Sequence, residues 1–122
     1  MKLIKKSYES YNNFIDYFYL KNDEGGDTMI GKLSYIMLNL NTIFVKFLFI
    51  YEEHRGKGYL KKILEFYKQY NIKLEAKELM EKYNKLINHY INHGFKITNS
   101  KEHIHYDGDI CYRKISMALI SS

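Results

Sequence analysis

Arg55, Gly56, Lys57 and Gly58 stand together in "IYEEHRGKGYLKKIL", residues 50–64, between an apolar run and a helical pattern. The chain has 7 glycines, and two of them fall here beside two cations. Glycine reaches positive φ and lets a ligand approach the main chain closely. The first N–H groups of a helix lack intrahelical partners and sit at its positive end. A strand, this loop and a helix start therefore describe a cradle for a phosphate or pyrophosphate, with full charges from Arg55, Lys57 and Lys61. A glycine-rich turn with solvated cations would use the same residues. Two other phosphate motifs do not fit. There is no Gly-x-x-x-x-Gly-Lys-Ser/Thr string, and a Gly-x-Gly-x-x-Gly run from Gly56 meets Lys61 at its third glycine position.

The remaining reactive residue types are sparser. His89 and His93 are four apart on a predicted helix, a metal-ligand spacing. Tyr90 stands where the zinc-protease pattern has Glu, and no third ligand is evident, so no metal site is expected. Cys111 is the single cysteine, which excludes an intrachain disulfide and suits a reducing, cytoplasmic setting. A packed small side chain is its expected role. His103 and His105 alternate on a predicted strand and are expected on a solvated sheet face.

The elements that must position these residues follow from period. "FIDYFYL", residues 14–20, reads as a strand, and "KNDEGGDT" as a turn. Further strands are predicted over Met29–Leu38 and Thr42–Ile50; the second is nearly all apolar and is expected to be covered on both faces. Leu60, Ile63, Leu64 and Tyr67 fall on one helical face from Tyr59 onward. A short strand over Asn71–Ala76 precedes a second helix, about Glu78 to His93, with Leu79, Tyr83, Leu86, Ile87 and Tyr90 as its stripe. Gly94 suits a helix C-cap. A strand over Phe95–Thr98 precedes a hairpin, with Asp107-Gly108 as a type I′ turn signal. The fold class predicted is α/β: one domain over residues 1–122, with a mixed, mostly antiparallel sheet and two main helices.

Bulk composition narrows the function classes. The 122 residues are 46% hydrophobic, which suits one domain with a real core. No apolar run reaches the ~18 residues of a membrane span, and the N-terminal lysines precede no apolar signal-peptide stretch. A soluble protein without a membrane partner is expected. The net charge of +5 is spread along the chain. An anionic cofactor accounts for it as well as nucleic acid does, and no aromatic RNA-binding signature or helix-turn-helix pattern is present, so no nucleic-acid partner is expected. The 13 tyrosines, with no Pro and no Trp, reflect a compositional skew and carry little functional weight.

"HRGKGYLKKIL" resembles the acyl-CoA pyrophosphate loop of the GNAT N-acetyltransferase superfamily, Arg/Gln-x-x-Gly-x-Gly/Ala. Arg55 and Gly58 match its first and fourth positions; Leu60 stands at the sixth, where the family has Gly or Ala. "INHYINHGFKI", residues 87–97, resembles the second signature, a helix ending in Tyr-x-x-x-Gly-Phe, matched by Tyr90, Gly94 and Phe95. "CYRKISMAL" resembles the last strand. The likeness runs from about Met29 to Leu119.

The resemblance implies acetyl-CoA as cofactor and direct attack of an acceptor amine on its thioester. It implies a slot between the strand ending at Ile50 and the strand Ile72–Ala76. Backbone groups near Phe49 and Ile50 would meet the pantetheine amides. N–H groups of Gly56, Lys57, Gly58, Tyr59, Leu60 and Lys61, with Arg55, would hold the pyrophosphate, and His54 flanks them. The family's pantetheine-contacting Asn has Tyr83 in its place here, with Asn84 adjacent. Tyr90 is implied as general acid. Glu75 is the candidate general base, directly or through water, with Glu52 and Glu53 as other carboxylates in reach. The two helices that usually follow the family's first strand, and often form part of the acceptor site, have no counterpart. The acceptor expected is a small amine, a polyamine, an aminoglycoside-like compound or a protein amine, and the last strands are the expected edge for a homodimer. The alternative is a GNAT-like module that holds CoA, or nothing, without turnover.

Overall fold

Alternation of buried and solvated side chains writes most of this chain as strands. Residues 2–79, 85–99 and 103–121 are described by the computed structural model. In chain order they form β1 (Lys2–Ser10), β2 (Asn13–Lys21), β3 (Asp27–Asn39), β4 (Thr42–Ile50), a 3₁₀ turn (Glu52–His54), α1 (Tyr59–Glu65), β5 (Asn71–Leu79), α2 (Lys85–Asn92), β6 (Lys96–Ile97), β7 (His103–Asp107) and β8 (Ile110–Leu119). The sheet order is β1-β2-β3-β4-β5-β8-β6, with β7 also pairing β8. The β4–β5 pair is parallel and the others antiparallel.

The parallel pair is short. It runs from Thr42 opposite Asn71 to Val45 opposite Leu74 and then stops. Beyond it β4 stays with β3 as far as Ile50 opposite Gly31, and β5 stays with β8 as far as Leu79 opposite Tyr112. The β3–β4 register shifts between Ser34 and Tyr35, leaving Lys46 as the extra residue of a bulge. A bulge bends its strand and increases its twist. This one falls where β4 leaves β5, and the two strand ends splay into a slot.

One face of the sheet is dry. Phe18, Leu33, Ile43, Ile72, Leu74, Ala76 and Met117 are buried there with Ile63 of α1 and Ile87 of α2. Both helices pack on this face: Tyr67, just past α1, stacks edge-on against Tyr35, and α2 lies over β5. On the opposite face, registered by Tyr17 opposite Lys32, Lys32 opposite Phe49 and Glu75 opposite Ser116, no described helix lies over the sheet. Phe47 and Phe49 remain 42% and 38% exposed there. The expectation that β4 is covered on both faces is therefore corrected for its second half.

Other expectations are corrected too. β1 was not anticipated: it is an exposed, lysine-bearing edge strand that buries little. It turns into β2 through Tyr11-Asn12, with Tyr11 at φ 56, and the Asn12 side chain bonds both the carbonyl and the N–H of Met37 (3.0 and 3.3 Å). Glu78 and Leu79 belong to β5, not to a helix, because β8 continues to pair with them. Tyr83 and Asn84 lie outside the described residues. The last hairpin turns at Gly108-Asp109, one residue later than expected: Asp107 pairs with Ile110, and only Gly108 (φ 61) of the two has positive φ. That is a II′-like turn, where a glycine leads. β8 is not an edge, since β5 flanks it on one side and β6 and β7 on the other.

Beneath α1 the core encloses a polar pair. Asp16 is fully buried, and the Tyr67 hydroxyl donates to its Oδ2. The Oδ1 of Asp16 has no partner. Removing the donor leaves a buried carboxyl with no partner among the described groups. Tyr67→Phe is expected to cost about 3 kcal/mol in urea unfolding, and Tyr67→Phe combined with Asp16→Leu markedly less. A single variant as stable as the parent would contradict this role.

Candidate functional site

In an antiparallel strand, backbone groups of successive residues turn alternately to its two neighbours. The Phe49 carbonyl faces β3, so close to Gly31 that a Cβ there would strike it. Alternation then turns the backbone groups of Leu48 and Ile50 toward the slot. This adjusts the expectation for Phe49: its main chain belongs to β3, and its ring lies at the slot.

At the end of β4 the Tyr51 N–H donates to the Ile30 carbonyl (2.9 Å), and the 3₁₀ turn closes with His54 N–H to Tyr51 carbonyl (2.9 Å) and Arg55 N–H to Glu52 carbonyl (3.1 Å). Gly56 and Gly58 then take φ +74 and +81, with nothing within 4 Å of where a Cβ would stand. Glycine is needed here for conformation, and the space around it is open. Gly58 is a left-handed N-cap with no side chain to bond the first turn of α1. The N–H groups of Tyr59 and Leu60 thus start the helix without intrahelical acceptors.

Arg55 folds back on the strand. Its Nε donates to the Ile50 carbonyl (2.7 Å), and its guanidinium lies 5.3 Å from the Phe49 ring centre. Four other guanidinium N–H donors remain for a ligand. Leu60, the bulky residue in the loop motif, is buried in the core and does not fill the cradle. Lys57 is exposed, while Lys61 lines a neighbouring groove. Tyr59 is half-buried, with its ring 6.4 Å from that of His54 and the Lys62 ammonium 5.8 Å away.

A cavity of about 310 Å³ opens beside the strand end, lined by Leu48, Phe49, Ile50, Arg55, Leu60, Leu86, His89 and Tyr90. It is of the size of a small ligand site. A larger groove of about 440 Å³, lined by Lys61, Tyr70, Ile72, His93 and Leu119 among others, lies where β4 and β5 are still paired. It is therefore at the closed end of the slot. Of the residues expected at the site, Phe49, Ile50, Arg55, Leu60 and Tyr90 meet in the smaller cavity. Sequence reasoning passed over Leu48, Leu86 and His89 as cavity-lining residues. Leu48 is two before Ile50, and Leu86 is one helical turn before Tyr90, so strand and helix periods both pointed to them.

Tyr90 projects from α2, whose C-terminus is fixed by Gly94 at φ +94 and by the Phe95 N–H donating to the Tyr90 carbonyl (3.1 Å). Its ring meets that of buried Phe95 at 5.3 Å. Burial pushes the Tyr90 phenol above the ordinary 10.0. At neutral pH it carries its proton. Burial, then the charge of His93, pulls His89 below its ordinary 6.5, so it is neutral there. Among the described residues no group of three His, Cys, Asp or Glu is placed to hold a metal.

Glu75 is not in this cavity. Leu74 and Ala76 point into the core, so Glu75 points to the open face, opposite Ser116 and between Lys73 and Lys77. Tyr90 and Glu75 thus flank the slot from the two sides of the sheet. Glu52 and Glu53 are exposed in the 3₁₀ turn.

No family model matches the chain, and no curated protein sequence matches it. Solved structures do. An IAA acetyltransferase from Bacillus cereus superposes with a TM-score of 0.64 at 15% identity, over 97% of this chain and 99% of that one. A GNAT family acetyltransferase from Elizabethkingia anophelis with acetyl-CoA bound gives 0.66 at 11%, over 97% of each. Mutant forms of the spermidine/spermine N-acetyltransferase SpeG from Vibrio cholerae give 0.65 at 14%, over 96% of this chain and 95% of that one.

The burial of three phenols gives a sign to alkaline behaviour. Tyr90 and Tyr67 are raised, and Tyr35 is pushed up to about 12, each chiefly by burial. Unfolding frees them to ionise near 10.0. Their contribution to stability is complete below that value and is lost as pH climbs through the raised ones. In a phenolate-absorbance titration, Tyr90→Phe should remove signal from the late, alkaline part of the curve. Loss from the early part would contradict the buried placement of Tyr90. Over nearly its whole length, the chain has the fold of GNAT acetyltransferases.

Proposed function

We propose that this protein is an acetyl-CoA-dependent N-acetyltransferase. The observation that carries the reading is one convergence: the slot left by β4 and β5, the open Gly56–Gly58 loop and the Tyr90 cavity meet at the end of β4. The acetyl-CoA in neighbouring structures of the same fold supports the choice of ligand.

The residues fit such a ligand. The slot-facing groups of Leu48 and the N–H of Ile50, whose carbonyl already accepts from Arg55 Nε, are suited to pantetheine amides. The loop from Gly56 through Leu60, with Arg55 and Lys57, is suited to the pyrophosphate, because nothing of the protein occupies the space beside either glycine. When bound, acetyl-CoA supplies an activated acyl group. The chain's own task is then positioning and proton handling. The protonated Tyr90 Oη is suited to give its proton to the departing sulfur. The carboxylate of Glu75, on the other side of the sheet, is suited to take a proton from the incoming amine, directly or through water. The apolar cavity wall of Leu48, Ile50, Leu60 and Leu86 would limit the access of water to a thioester held there. The burial of Leu60 in the core leaves the loop open, which supports a site able to hold CoA over a module that holds nothing.

Release of the CoA thiol in the presence of amines tests this function. Tyr90→Phe should lower kcat by about 100-fold and leave the affinity for acetyl-CoA unchanged, because only the proton donor is removed. An unchanged kcat across pH would take Tyr90 out of the chemistry. Absence of amine-stimulated release with every acceptor class, in a protein that binds acetyl-CoA, would reduce the protein to a binding module.

A further inference from the structure

The side of the slot facing away from the helices is built of cations and rings. Phe47 and Phe49 flank it on β4, and Glu75 and Lys77 flank it on β5. Next to these, Lys32 lies opposite Phe49, and Lys114 lies opposite Lys77. Lys73 stands two residues before Glu75 on the same face. The Lys32 ammonium is held 5.6 Å from the Phe47 ring centre, and that of Lys77 4.2 Å from the Tyr112 ring centre. The described ion pairs are Lys6 with Asp27 and a His54–Glu53 contact, so among the described residues no carboxylate pairs with Lys32, Lys73, Lys77 or Lys114. Among the described residues, four ammoniums thus surround a mouth that has one carboxylate.

From this we infer that the acceptor is an amine that also carries an anionic group, a carboxylate or phosphate, on an apolar, ring-bearing body. The inference rests on the acetyltransferase reading and goes on to name its substrate class. α1 and α2 close the helical side of the sheet, so an acceptor reaches the slot from the open face. There it meets Phe47 and Phe49, both more than a third exposed, which offer apolar contact. The ammoniums attract an anion and repel a polycation. They also disfavour the charged form of an incoming amine, which leaves more of it as the free base that attacks. Among the described residues Glu75 is the one carboxylate on this rim, and it suits a single amine. A polyamine would bring several positive charges to a surface that already carries four.

The test compares thiol release from acetyl-CoA with phenylalanine, phenethylamine and spermidine, using the parent protein and the Lys77→Glu and Lys32→Glu variants. Acetyl-CoA binding by each protein is followed by calorimetry. The expected kcat/KM order is phenylalanine, then phenethylamine, then spermidine. Each charge reversal should cut the preference for phenylalanine over phenethylamine by about fivefold, with acetyl-CoA affinity unchanged. Both lysines project from the sheet surface, and retention of acetyl-CoA binding reports that each variant is folded. Spermidine as the best acceptor, or an order indifferent to both reversals, overturns the inference and leaves the acetyltransferase reading intact. Failure of the parent protein to bind acetyl-CoA overturns both.

Discussion

The parting of β4 from β5 is the constraint on which the rest of this molecule depends. Two parallel strands that share hydrogen bonds over Thr42–Val45 then give them up, exposing main-chain groups in the middle of a sheet. Such groups are costly to bury without partners. The fold tolerates this because each strand is held from its outer side, β4 by β3 and β5 by β8, and because the Lys46 bulge bends β4 away. An opening of this kind has the form of a binding slot for an extended amide-bearing ligand, whose own amides can take the place of the missing strand partner.

Everything placed around the slot serves one of its two sides. On the helical side, α1 and α2 pack on the dry face, line the cavity with Leu60 and Leu86, and hold the partly buried Tyr90 phenol in its protonated form. The Arg55 bond to the Ile50 carbonyl ties the glycine loop to the strand end, so cradle and slot are held together. On the open side the sheet presents rings and ammoniums with Glu75 among them. β1 and β2 are joined by a two-residue hairpin at Tyr11-Asn12, with no helix between them, and this face accordingly stays accessible.

Much of this was legible in the sequence, for reasons that differ by element. β4 was read to its observed bounds because it is an apolar run broken only by Lys46, between polar breaks. The loop between β4 and α1 was legible because two glycines between an apolar run and a helical stripe mark a turn at positive φ. β1 was not legible: "KLIKKSYES" buries little, and an edge strand needs only one neighbour and no apolar stripe. The start of the second helix was misplaced because Leu79 fits a helical stripe as well as a strand, and only pairing with β8 decides between them. The placement of Glu75 on the open face, away from the helices, was not legible either, since strand parity says which residues share a face and not which face the helices choose.

The central claim is that the end of β4 holds acetyl-CoA, and calorimetric titration of the folded protein with acetyl-CoA and with ATP tests it most directly. The account predicts saturable binding of acetyl-CoA well above that of ATP, and its loss in Gly58→Trp, whose side chain would fill the open cradle while the sheet stays folded. Equal binding of ATP, or binding of acetyl-CoA that survives in a folded Gly58→Trp protein, would contradict it.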